Sequence, residues 1–268
     1  MPKQKPKTSW GGVAGWYDKL LTSSGDTYQS KVILPNLMRL VEPRANETIL
    51  DIACGQGMFS RAFTNNKAKV IGTDISKELI ALAKKNVPQN AEFHVAPAHA
   101  MPFVPSASID KAVVVLAVQN IENFADVFAE CRRVLKPGGH LSVVMNHPAF
   151  RIPGRTSWEW DEATKTQYRR VNAYLSDSRA MIDMHPSLSR HGGDLSRDGG
   201  AARGKQTVSF HRPLQVYVKA LAKHGFAIVK LEEWISHKKS EPGPRAKEED
   251  RSRKEIPLFL YLEARRMA

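Results

Sequence analysis

Short apolar runs alternate with longer amphipathic stretches from residue 48 onward, and this alternation constrains the fold more than any other feature of the sequence. Strands of a parallel sheet read as near-continuous apolar runs because helices cover both faces of such a sheet. Apolar runs that alternate with helical patterns therefore predict βαβ units and a mostly parallel sheet. The five strand candidates in this part of the chain are residues 48–54, 69–75, 92–96, 111–118 and 140–146.

Helix signals fill the intervals between these strand candidates. Ser76 is the expected N-cap of a helix that extends through Val87, because its hydroxyl can accept from a backbone N–H of the first turn. A second helix carries an apolar stripe at helical spacing from Phe124 to Leu135. Pro137 and the two glycines after it should end that helix and turn the chain into the next strand.

The flanking parts of the chain supply further elements. The apolar segment 32–41, broken by Pro35, predicts a helix that packs on the sheet, and Pro213 fits the first turn of a late helix. Two final strands bring the sheet to seven, mostly parallel and with helices on both faces. These C-terminal elements are expected as strands at 226–235 and 256–264, with a charged loop at 236–255.

The composition is that of a globular protein, with 42% hydrophobic and 25% charged residues. The longest aliphatic run, residues 112–118, is far shorter than the roughly 18 residues needed to cross a bilayer, so no membrane span is expected. The three N-terminal lysines are not followed by the apolar core of a secretory signal. Cys54 and Cys131 are too few for a disulfide framework and lack metal-ligand spacing. These features predict a cytoplasmic protein without a metal site.

The formal net charge of +13 raises nucleic acid, anionic membranes and acidic substrates as partners. Its distribution matters more than its size. Residues 45–150 carry ten basic and nine acidic side chains, so the middle of the chain is nearly neutral and the excess lies in the flanks. If the middle part binds a cofactor, the basic flanks are expected to contact the other partner or substrate of the protein.

A glycine-rich turn directly follows the first strand candidate. Asp51 is followed by Ile, Ala, Cys, Gly55, Gln and Gly57, and the two glycines lie where a backbone must approach a ligand closely. Asp74 ends the second strand, where a carboxylate can accept hydrogen bonds from both hydroxyls of a ribose. A glycine turn beside an acidic strand end predicts a ligand of the adenosine type.

Two classes of adenosine ligand fit this arrangement differently. A dinucleotide site requires glycine at the third position of the turn motif, where this chain has Ser60, and Asp51 would repel a pyrophosphate. A carboxylate beside the turn instead suits a ligand with a positive amino group, such as S-adenosylmethionine. Taken singly, glycines after a strand indicate only a tight turn, so the prediction depends on further segments.

Five segments between residues 45 and 147 resemble, in order and spacing, the motifs of the class I S-adenosylmethionine-dependent methyltransferases. They are LDIACGQG, VIGTDIS, FHVAPAHAMPF, SIDKAVVVLAVQNI and RRVLKPGGHLSVV. This resemblance implies the Rossmann-like fold of that family, with S-adenosylmethionine as cofactor and a methyltransferase activity. Lys136 to Gly139 make a turn under any reading, because proline and glycine impose one.

The resemblance also implies which residues would contact the cofactor. Two positions depart from the family pattern: Ala53 stands where the family has its first glycine, a change that a slightly different turn could absorb, and Pro97 replaces an acidic partner of the adenine amino group. The cofactor-binding residues implied by position are Asp51, Ala53, Gly55 and Gly57 around the methionine part, Asp74 and Ile75 at the ribose and adenine, Ala98 and His99 at the adenine edge, and Ala117 and Val118 below the methyl-transfer pocket.

The length of 268 residues favours a single domain, since α/β domains reach roughly 250 residues. After residue 147 the rhythm of strands and helices breaks for about 60 residues that are rich in arginine and aromatic side chains. We expect this stretch to be an insertion that covers the substrate. The predicted divisions are an N-terminal cap at 1–44, a cofactor-binding core at 45–147, the insertion at 148–210, and a C-terminal helix with two strands at 211–268.

Ligands of open α/β sheets lie beyond the carboxyl ends of the strands, which places the acceptor near the loops after the fourth and fifth strands. Aromatic side chains near these loops suit planar or anionic ligands, although they could equally form small packing clusters. Candidate acceptor-binding residues are Tyr17, Tyr28, Trp158 and Tyr168; candidate bases for an oxygen or nitrogen acceptor are His147, His211 and Glu233.

Three functions stay open on the sequence alone. The leading hypothesis is methyl transfer from S-adenosylmethionine to a small-molecule acceptor. The second is methylation of RNA or another nucleic acid, which the net charge favours and the interspersed acidic residues disfavour. The third is a protein that binds S-adenosylmethionine without catalysis.

Overall fold

The computed structural model describes residues 10–23, 25–87, 90–183 and 206–268. Its helices are α1 (Ala14–Ser23), α2 (Leu34–Val41), α3 (Met58–Asn65), α4 (Lys77–Asn86), α5 (Phe124–Val134), α6 (Leu214–Lys223) and α7 (Ala246–Glu255). Its strands are β1 (Thr48–Ile52), β2 (Lys69–Asp74), β3 (Ala91–Val95), β4 (Ile109–Val115), β5 (Leu135–Asn146), β6 (Thr156–Asp161), β7 (Thr166–Val171), β8 (Ser178–Asp183), β9 (Gln206–His211), β10 (Phe226–Trp234) and β11 (Phe259–Arg266).

Seven of these strands form one sheet in the order β10-β11-β5-β4-β1-β2-β3. The pairs among β1 to β5 are parallel, whereas β11 runs antiparallel between β5 and β10. The predicted seven-stranded, mostly parallel sheet is therefore confirmed. Because the parallel strands share one direction, their carboxyl ends lie at a single edge of the sheet, and the loops that follow them meet there.

Helices cover both faces of the sheet, as the apolar pattern predicts. On one face, Phe128 of α5 and Leu221 of α6 pack with Leu50 and Ile52 of β1. On the other face, α2 and α3 bury their apolar stripes in a second cluster that contains Ile49 of β1. Neighbouring residues of β1 belong to different clusters because successive side chains of a strand point to opposite faces.

One predicted local signal is confirmed and one is refined. The Ser76 hydroxyl accepts from the Leu79 backbone N–H at 3.2 Å, so this serine is the N-cap of α4. Segment 32–41 is helical, but Pro35 lies in the first turn of α2, where its missing N–H costs nothing, and a π-helical turn (Gln29–Ile33) precedes it.

The prediction of a charged loop at 236–255 is wrong, because α7 occupies its second half. This helix is polar around almost its whole circumference, with only Ser252 buried, so it lacks the apolar stripe from which helices are recognised. The stretch after residue 147 also contains regular structure, since β6 pairs with β7 and β8 pairs with β9 in two hairpins outside the main sheet.

Two strand boundaries also differ from the prediction. Strand β4 ends at Val115, and a short 3-10 turn (Val118–Asn120) follows where the apolar run continues. Strand β5 begins at Leu135, five residues before its predicted start, and its pairing with β4 shifts register between Ile109 and Lys111. Pro137 and the glycines therefore lie in an irregular start of β5 and not in a turn before it.

The N-terminal segment packs beside the carboxyl end of β2. The 3-10 turn formed by Trp10–Val13 contacts α4, and Gly11 lies directly against the Glu78 carboxylate. Asn86 at the end of α4 donates to the Asp18 carboxylate at 3.1 Å. Within the described residues, no helix has the length and apolar composition that crossing a membrane requires.

Candidate functional site

The turn after β1 runs through three residues in the left-handed backbone region. Ala53, Gly55 and Gly57 have φ of 57°, 58° and 85°. A Cβ on Gly57 would lie 2.7 Å from a methyl group of Val87, so this glycine is required by its conformation and also by the packing of α3 on α4. The turn thus holds backbone groups close to the end of β2, with the Cys54 N–H donating to the Thr73 carbonyl at 2.9 Å.

Ala53 keeps the backbone conformation that favours glycine. That the turn differs slightly from that of the family stays a prediction; in this chain φ at Ala53 is 57°, within the left-handed region. An L-residue in that region costs roughly 1–2 kcal/mol relative to its ordinary conformations. The alanine is therefore expected to reduce stability.

We predict that Ala53→Gly raises the free energy of unfolding by about 1 kcal/mol, since glycine adopts a positive φ without steric cost. Urea denaturation followed by circular dichroism measures this change. The matched control is Ala62→Gly within α3, which should lower stability by about 1 kcal/mol because glycine is unfavourable inside a helix. Equal destabilisation by both variants would contradict the strain assigned to Ala53.

Asp74, at the end of β2, ties the turn to the neighbouring strand. One carboxylate oxygen accepts from the Gly55 N–H at 3.0 Å, and the other accepts from the Ser76 N–H at 2.8 Å. The side chain is only 8% exposed, and burial raises its pKa although these hydrogen bonds act to lower it. Each carboxylate oxygen keeps a second lone pair, so Asp74 can still accept hydrogen bonds from a ligand.

Asp51, at the end of β1, is buried more deeply. It is 1% exposed and accepts a 2.6 Å hydrogen bond from the Ser60 hydroxyl at the start of α3. Burial raises its pKa to about 7; the Ser60 hydrogen bond opposes that rise, and the charge of Asp74 adds to it. The carboxylate is thus held where its negative charge is unfavourable.

Neither Asp51 nor Asp74 forms an ion pair with a cationic side chain anywhere in the described chain. Two buried carboxylates without a counter-charge fit a ligand that brings positive charge to this edge of the sheet. S-adenosylmethionine carries a sulfonium and an ammonium group, and its ribose offers the two hydroxyls that a carboxylate can accept. The residues present therefore fit this cofactor.

The other predicted cofactor residues lie along the same edge. Ile75 follows β2 and is partly buried, while Ala98 and His99 form a turn beyond β3 in which His99 is exposed. Ala117 follows β4 and is partly buried against the main cluster, but the Val118 side chain is fully buried within that cluster. Val118 could thus contact a ligand only through its backbone.

A narrow cleft with about 20 Å³ of free space opens beyond the carboxyl ends of β4 and β5. The loops after these strands meet the junction between β9 and α6 there. The lining side chains include Gln119, Asn146, Pro148, His211, Arg212 and Tyr217. The cleft lies where the sequence places the acceptor, and His211 is the predicted base that lines it.

His211 is fixed in one tautomer by its neighbour. Its Nε2 lies 2.8 Å from the Tyr174 carbonyl oxygen, which can only accept, so Nε2 carries the proton and Nδ1 keeps a free lone pair. Burial lowers the pKa of His211, which keeps the imidazole neutral at pH 7. A neutral imidazole with an available Nδ1 can accept a proton from a bound group.

His147 and Glu233 are paired with each other instead. The His147 Nδ1 accepts from the Ala149 N–H at 3.2 Å, so its Nε2 carries the proton and donates to Glu233 at 2.7 Å. Burial lowers the pKa of His147 although Glu233 opposes the shift. Because both ring nitrogens are engaged, this pair connects β5 to β10 and presents no free lone pair.

The four predicted aromatic residues are distributed over different surfaces. Tyr28 donates or accepts a 3.1 Å hydrogen bond with Ser236 and packs on Phe259, near the carboxyl edge of the sheet. Trp158 packs under the Arg169 guanidinium and Tyr168 is half exposed, both on the β6–β7 hairpin and outside the cleft lining. The Tyr17 side chain lies outside the described part of the structure.

Comparisons with known proteins agree with this geometry. A family model described as a methyltransferase domain matches residues 50–143. A solved S-adenosylmethionine-dependent methyltransferase from Mesorhizobium loti superposes with a TM-score of 0.65 at 26% identity, covering 87% of this chain and 96% of that one. This chain carries a methyltransferase domain on the fold of the class I S-adenosylmethionine-dependent methyltransferases. The predicted fold and family are confirmed, and S-adenosylmethionine is the cofactor of the family.

Curated relatives of this methyltransferase family are similar over different lengths. A demethylmenaquinone methyltransferase from Chlorobaculum parvum is 37% identical over 136 residues, or 49% of this chain and 56% of that protein. A ubiquinone/menaquinone biosynthesis C-methyltransferase from Acidiphilium cryptum is 28% identical over 213 residues, covering 74% of this chain and 83% of that protein. The chain thus spans little more than half the length of the first relative.

Three cleft residues of this family member escaped the sequence predictions. Gln119 lies two residues beyond Ala117, Arg151 follows β5, and Arg212 lies between His211 and Pro213. Position alone could have indicated Gln119, because it directly follows the fourth strand. The two arginines could not be distinguished from the many other basic residues, since only tertiary packing reveals that Arg212 is buried and Arg151 partly buried.

A larger cleft of about 480 Å³ lies at the opposite edge of the sheet. Its charges are paired within the protein, as Lys111 lies 2.8 Å from Glu47 and Lys136 lies 2.6 Å from Asp110. It contains none of the predicted site residues of this methyltransferase. Among the described residues, no group of three His, Cys, Asp or Glu side chains is placed to hold a metal ion.

Proposed function

We propose that this chain transfers a methyl group from S-adenosylmethionine to a small-molecule acceptor bound in the cleft beyond β4 and β5. The observation that carries this proposal is the pair of buried carboxylates, Asp51 and Asp74, which lack a cationic partner among the described residues. They lie at the same edge of the sheet as the acceptor cleft, two strand ends away at most from β4. A cationic donor and a polar acceptor would therefore meet at this edge.

The first three loops of this edge would hold the donor. Asp74 would accept from the ribose hydroxyls, and the backbone of the turn from Ala53 to Gly57 would border the methionine part. Ile75, Ala98 and His99 would border the adenine. Asp51 would act through its charge, since its side chain is buried and bonded to Ser60.

When bound, S-adenosylmethionine supplies an electrophilic methyl carbon on a positive sulfur, which an acceptor lone pair attacks in line as the carbon–sulfur bond breaks. The walls of the cleft would orient that lone pair, and positioning of this kind can supply much of the rate acceleration. His211 would take the proton of an O–H or N–H acceptor at Nδ1, while the Tyr174 carbonyl holds its Nε2–H.

The narrowness of the cleft favours a small acceptor: its free space is about 20 Å³, against roughly 300–1,000 Å³ for small-molecule sites, so it must widen even for a small molecule to bind. The relatives that this chain resembles are named for methylation in menaquinone and ubiquinone biosynthesis, which also concerns small molecules. The nucleic-acid alternative draws on the net charge of +13 alone.

The purified protein should bind S-adenosylhomocysteine saturably by calorimetry and should form S-adenosylhomocysteine from S-adenosylmethionine with at least one member of a small-acceptor library. His211→Asn should lower kcat about 100-fold, the lower end of general-base effects, and leave S-adenosylhomocysteine affinity unchanged. The matched control is His224→Asn, a partly exposed histidine after α6.

The outcomes separate the three functions. Methyl incorporation into RNA with salt-sensitive retention would favour the nucleic-acid alternative. Cofactor binding without turnover on any acceptor would favour a non-catalytic binding protein. Loss of kcat by His224→Asn equal to that by His211→Asn would remove the base role from His211.

A further inference from the structure

The acceptor cleft contains positive charge that nothing in the described chain neutralises. Arg151 and Arg212 both line it, and neither forms an ion pair with a carboxylate of the described residues. The nearby Asp177 acts on the pKa of His211 and of Tyr217, but it is exposed and makes no ion pair with Arg212. Buried guanidinium groups ordinarily have a paired partner, because removing an unpaired charge from water is costly.

Arg212 is held rigidly with one face of its charge unsatisfied. It is 8% exposed, and its guanidinium carbon lies 4.5 Å from the Phe124 ring centre and 4.9 Å from that of Phe210. Its Nη2 donates to the Glu122 carbonyl at 2.6 Å, whereas Nη1 is buried and makes no hydrogen bond of standard geometry within the described residues. Arg212 also acts on the Tyr217 hydroxyl: burial raises the pKa of Tyr217, and the charge and a hydrogen bond of Arg212 oppose that rise. The two rings fix the plane of the guanidinium, so its free donor has a defined direction.

Arg151 stands on the other side of the same cleft. Its Nη1 donates to the Asn146 side-chain oxygen at 2.8 Å, and its guanidinium carbon lies 5.3 Å from the centre of the Phe259 ring. Burial lowers the pKa of Arg151, the charge of Arg169 adds to this shift, and Tyr28 opposes it. The two arginines thus leave an excess positive charge at the cleft.

Gln119 provides an unsatisfied acceptor in the cleft that also contains the unsatisfied donor of Arg212. The side chain is 9% exposed, and its amide nitrogen donates to the Leu116 carbonyl at 2.9 Å. Its oxygen Oε1 is buried without a partner among the described residues. Since the carbonyl of Leu116 can only accept, the amide orientation is fixed and Oε1 is the atom left without a donor.

Buried polar atoms of native proteins are almost always satisfied, so a free guanidinium donor and a free amide acceptor in one cleft indicate a ligand that completes both. We propose that the acceptor of this enzyme is a small carboxylate that also bears an O–H or N–H group. Its carboxylate pairs with Arg212, with Arg151 adding positive charge. Its O–H or N–H, a group other than the one whose proton His211 takes, donates to Gln119. This assignment rests on the proposed methyl transfer. A neutral quinol would leave both arginines without a counter-charge.

The test compares probes that differ only in charge or in the donor group. Calorimetry measures binding of 3- and 4-hydroxybenzoate, of benzoate, and of the neutral 3- and 4-hydroxybenzamides, each with and without saturating S-adenosylhomocysteine. At least one hydroxybenzoate should bind about tenfold or more tightly than its amide, the size expected for a hydrogen bond to a buried charge. Arg212→Gln should abolish this preference and keep S-adenosylhomocysteine affinity.

A second variant keeps the proposal testable if Arg212→Gln does not fold. Gln119→Met has a similar shape without the amide oxygen, so it should weaken the hydroxybenzoate severalfold and leave benzoate unchanged. The control is Arg253→Gln on α7, because the Arg253 guanidinium lies outside the cleft. This variant should change neither the affinity for the hydroxybenzoate nor that for benzoate.

Equal affinity for acids and amides in the wild-type protein, or absence of saturable binding by every acid, would overturn the anionic acceptor. Charge preference that persists in Arg212→Gln would also overturn it. These results are independent of the proposed function, which fails instead if S-adenosylhomocysteine itself does not bind.

Discussion

Replacing Asp74 with asparagine should lower the affinity for S-adenosylhomocysteine about 100-fold or more. A carboxylate that accepts from two ribose hydroxyls makes two hydrogen bonds to a charged group, each worth roughly 1.5–3 kcal/mol, and about 3 kcal/mol corresponds to two orders of magnitude. The amide removes the charge and has only one acceptor oxygen. Isothermal titration of both proteins measures the loss, with Asp126→Asn on the exposed face of α5 as the control that should bind normally.

The structure also suggests a second route to the same loss, because Asp74 holds the N–H groups of Gly55 and Ser76. Adenosine and 2′,3′-dideoxyadenosine distinguish the two routes. If Asp74 accepts hydrogen bonds from the ribose hydroxyls, the variant should bind adenosine much more weakly than the wild type does. Its affinity for the dideoxy compound should change little. An equal loss for both nucleosides would mean that Asp74 only maintains the turn, and the assignment of its ribose contact would fail.

Asp51→Asn should remove a pH dependence of stability on the order of 4 kcal/mol. The pKa of Asp51 is about 7 in the folded protein, against an ordinary value of 3.8 for an aspartate in the unfolded chain. Between these values the folded state holds more protons than the unfolded state, so the free energy of unfolding falls as pH rises through this window. The stabilising contribution is complete below the unfolded pKa and is lost above the folded one. Three pKa units at about 1.4 kcal/mol each give the expected size.

Chemical denaturation at a series of pH values measures this effect as the difference between the wild type and the variant. The difference is needed because His147 and His211, whose pKa values are lowered by burial, contribute a slope of opposite sign. Asp74, whose pKa is also raised, contributes a slope of the same sign as Asp51. A pH dependence unchanged in Asp51→Asn would show that the carboxylate is ionised and compensated in the folded state.

The parallel sheet could be predicted because strands that are buried on both faces appear in the sequence as continuous apolar runs. Residues 111–115 and 141–145 are almost uninterrupted apolar runs, and only a strand covered on both sides makes such a run favourable. Helix α7 could not be predicted in the same way. Its stability comes from polar contacts such as the Ser252 hydroxyl donating to the Gln167 carbonyl at 2.9 Å, which depend on the β6–β7 hairpin being in place.

The residues of the candidate site also differ in whether the sequence alone could predict them. The turn residues and Asp74 were predictable because backbone conformation and strand ends are encoded locally. Arg212 and Gln119 were not, since their unsatisfied atoms arise from packing between parts of the chain that are about 90 residues apart. His147 and His211 look alike as sequence, and only their hydrogen-bond partners separate a paired imidazole from one with a free nitrogen.

The two hairpins outside the main sheet have an evolutionary consequence. In the proposed assignment most donor-side groups lie within residues 51–75, with Ala98 and His99 further along the chain. Much of the proposed acceptor side comes from the described residues 146–183 and 206–217, which include β6 to β9 and contribute no strand to the central sheet after β5. A lineage could thus exchange one acceptor for another by altering this stretch and leave the donor's framework intact. Grafting the stretch between relatives offers a direct route to redirecting specificity.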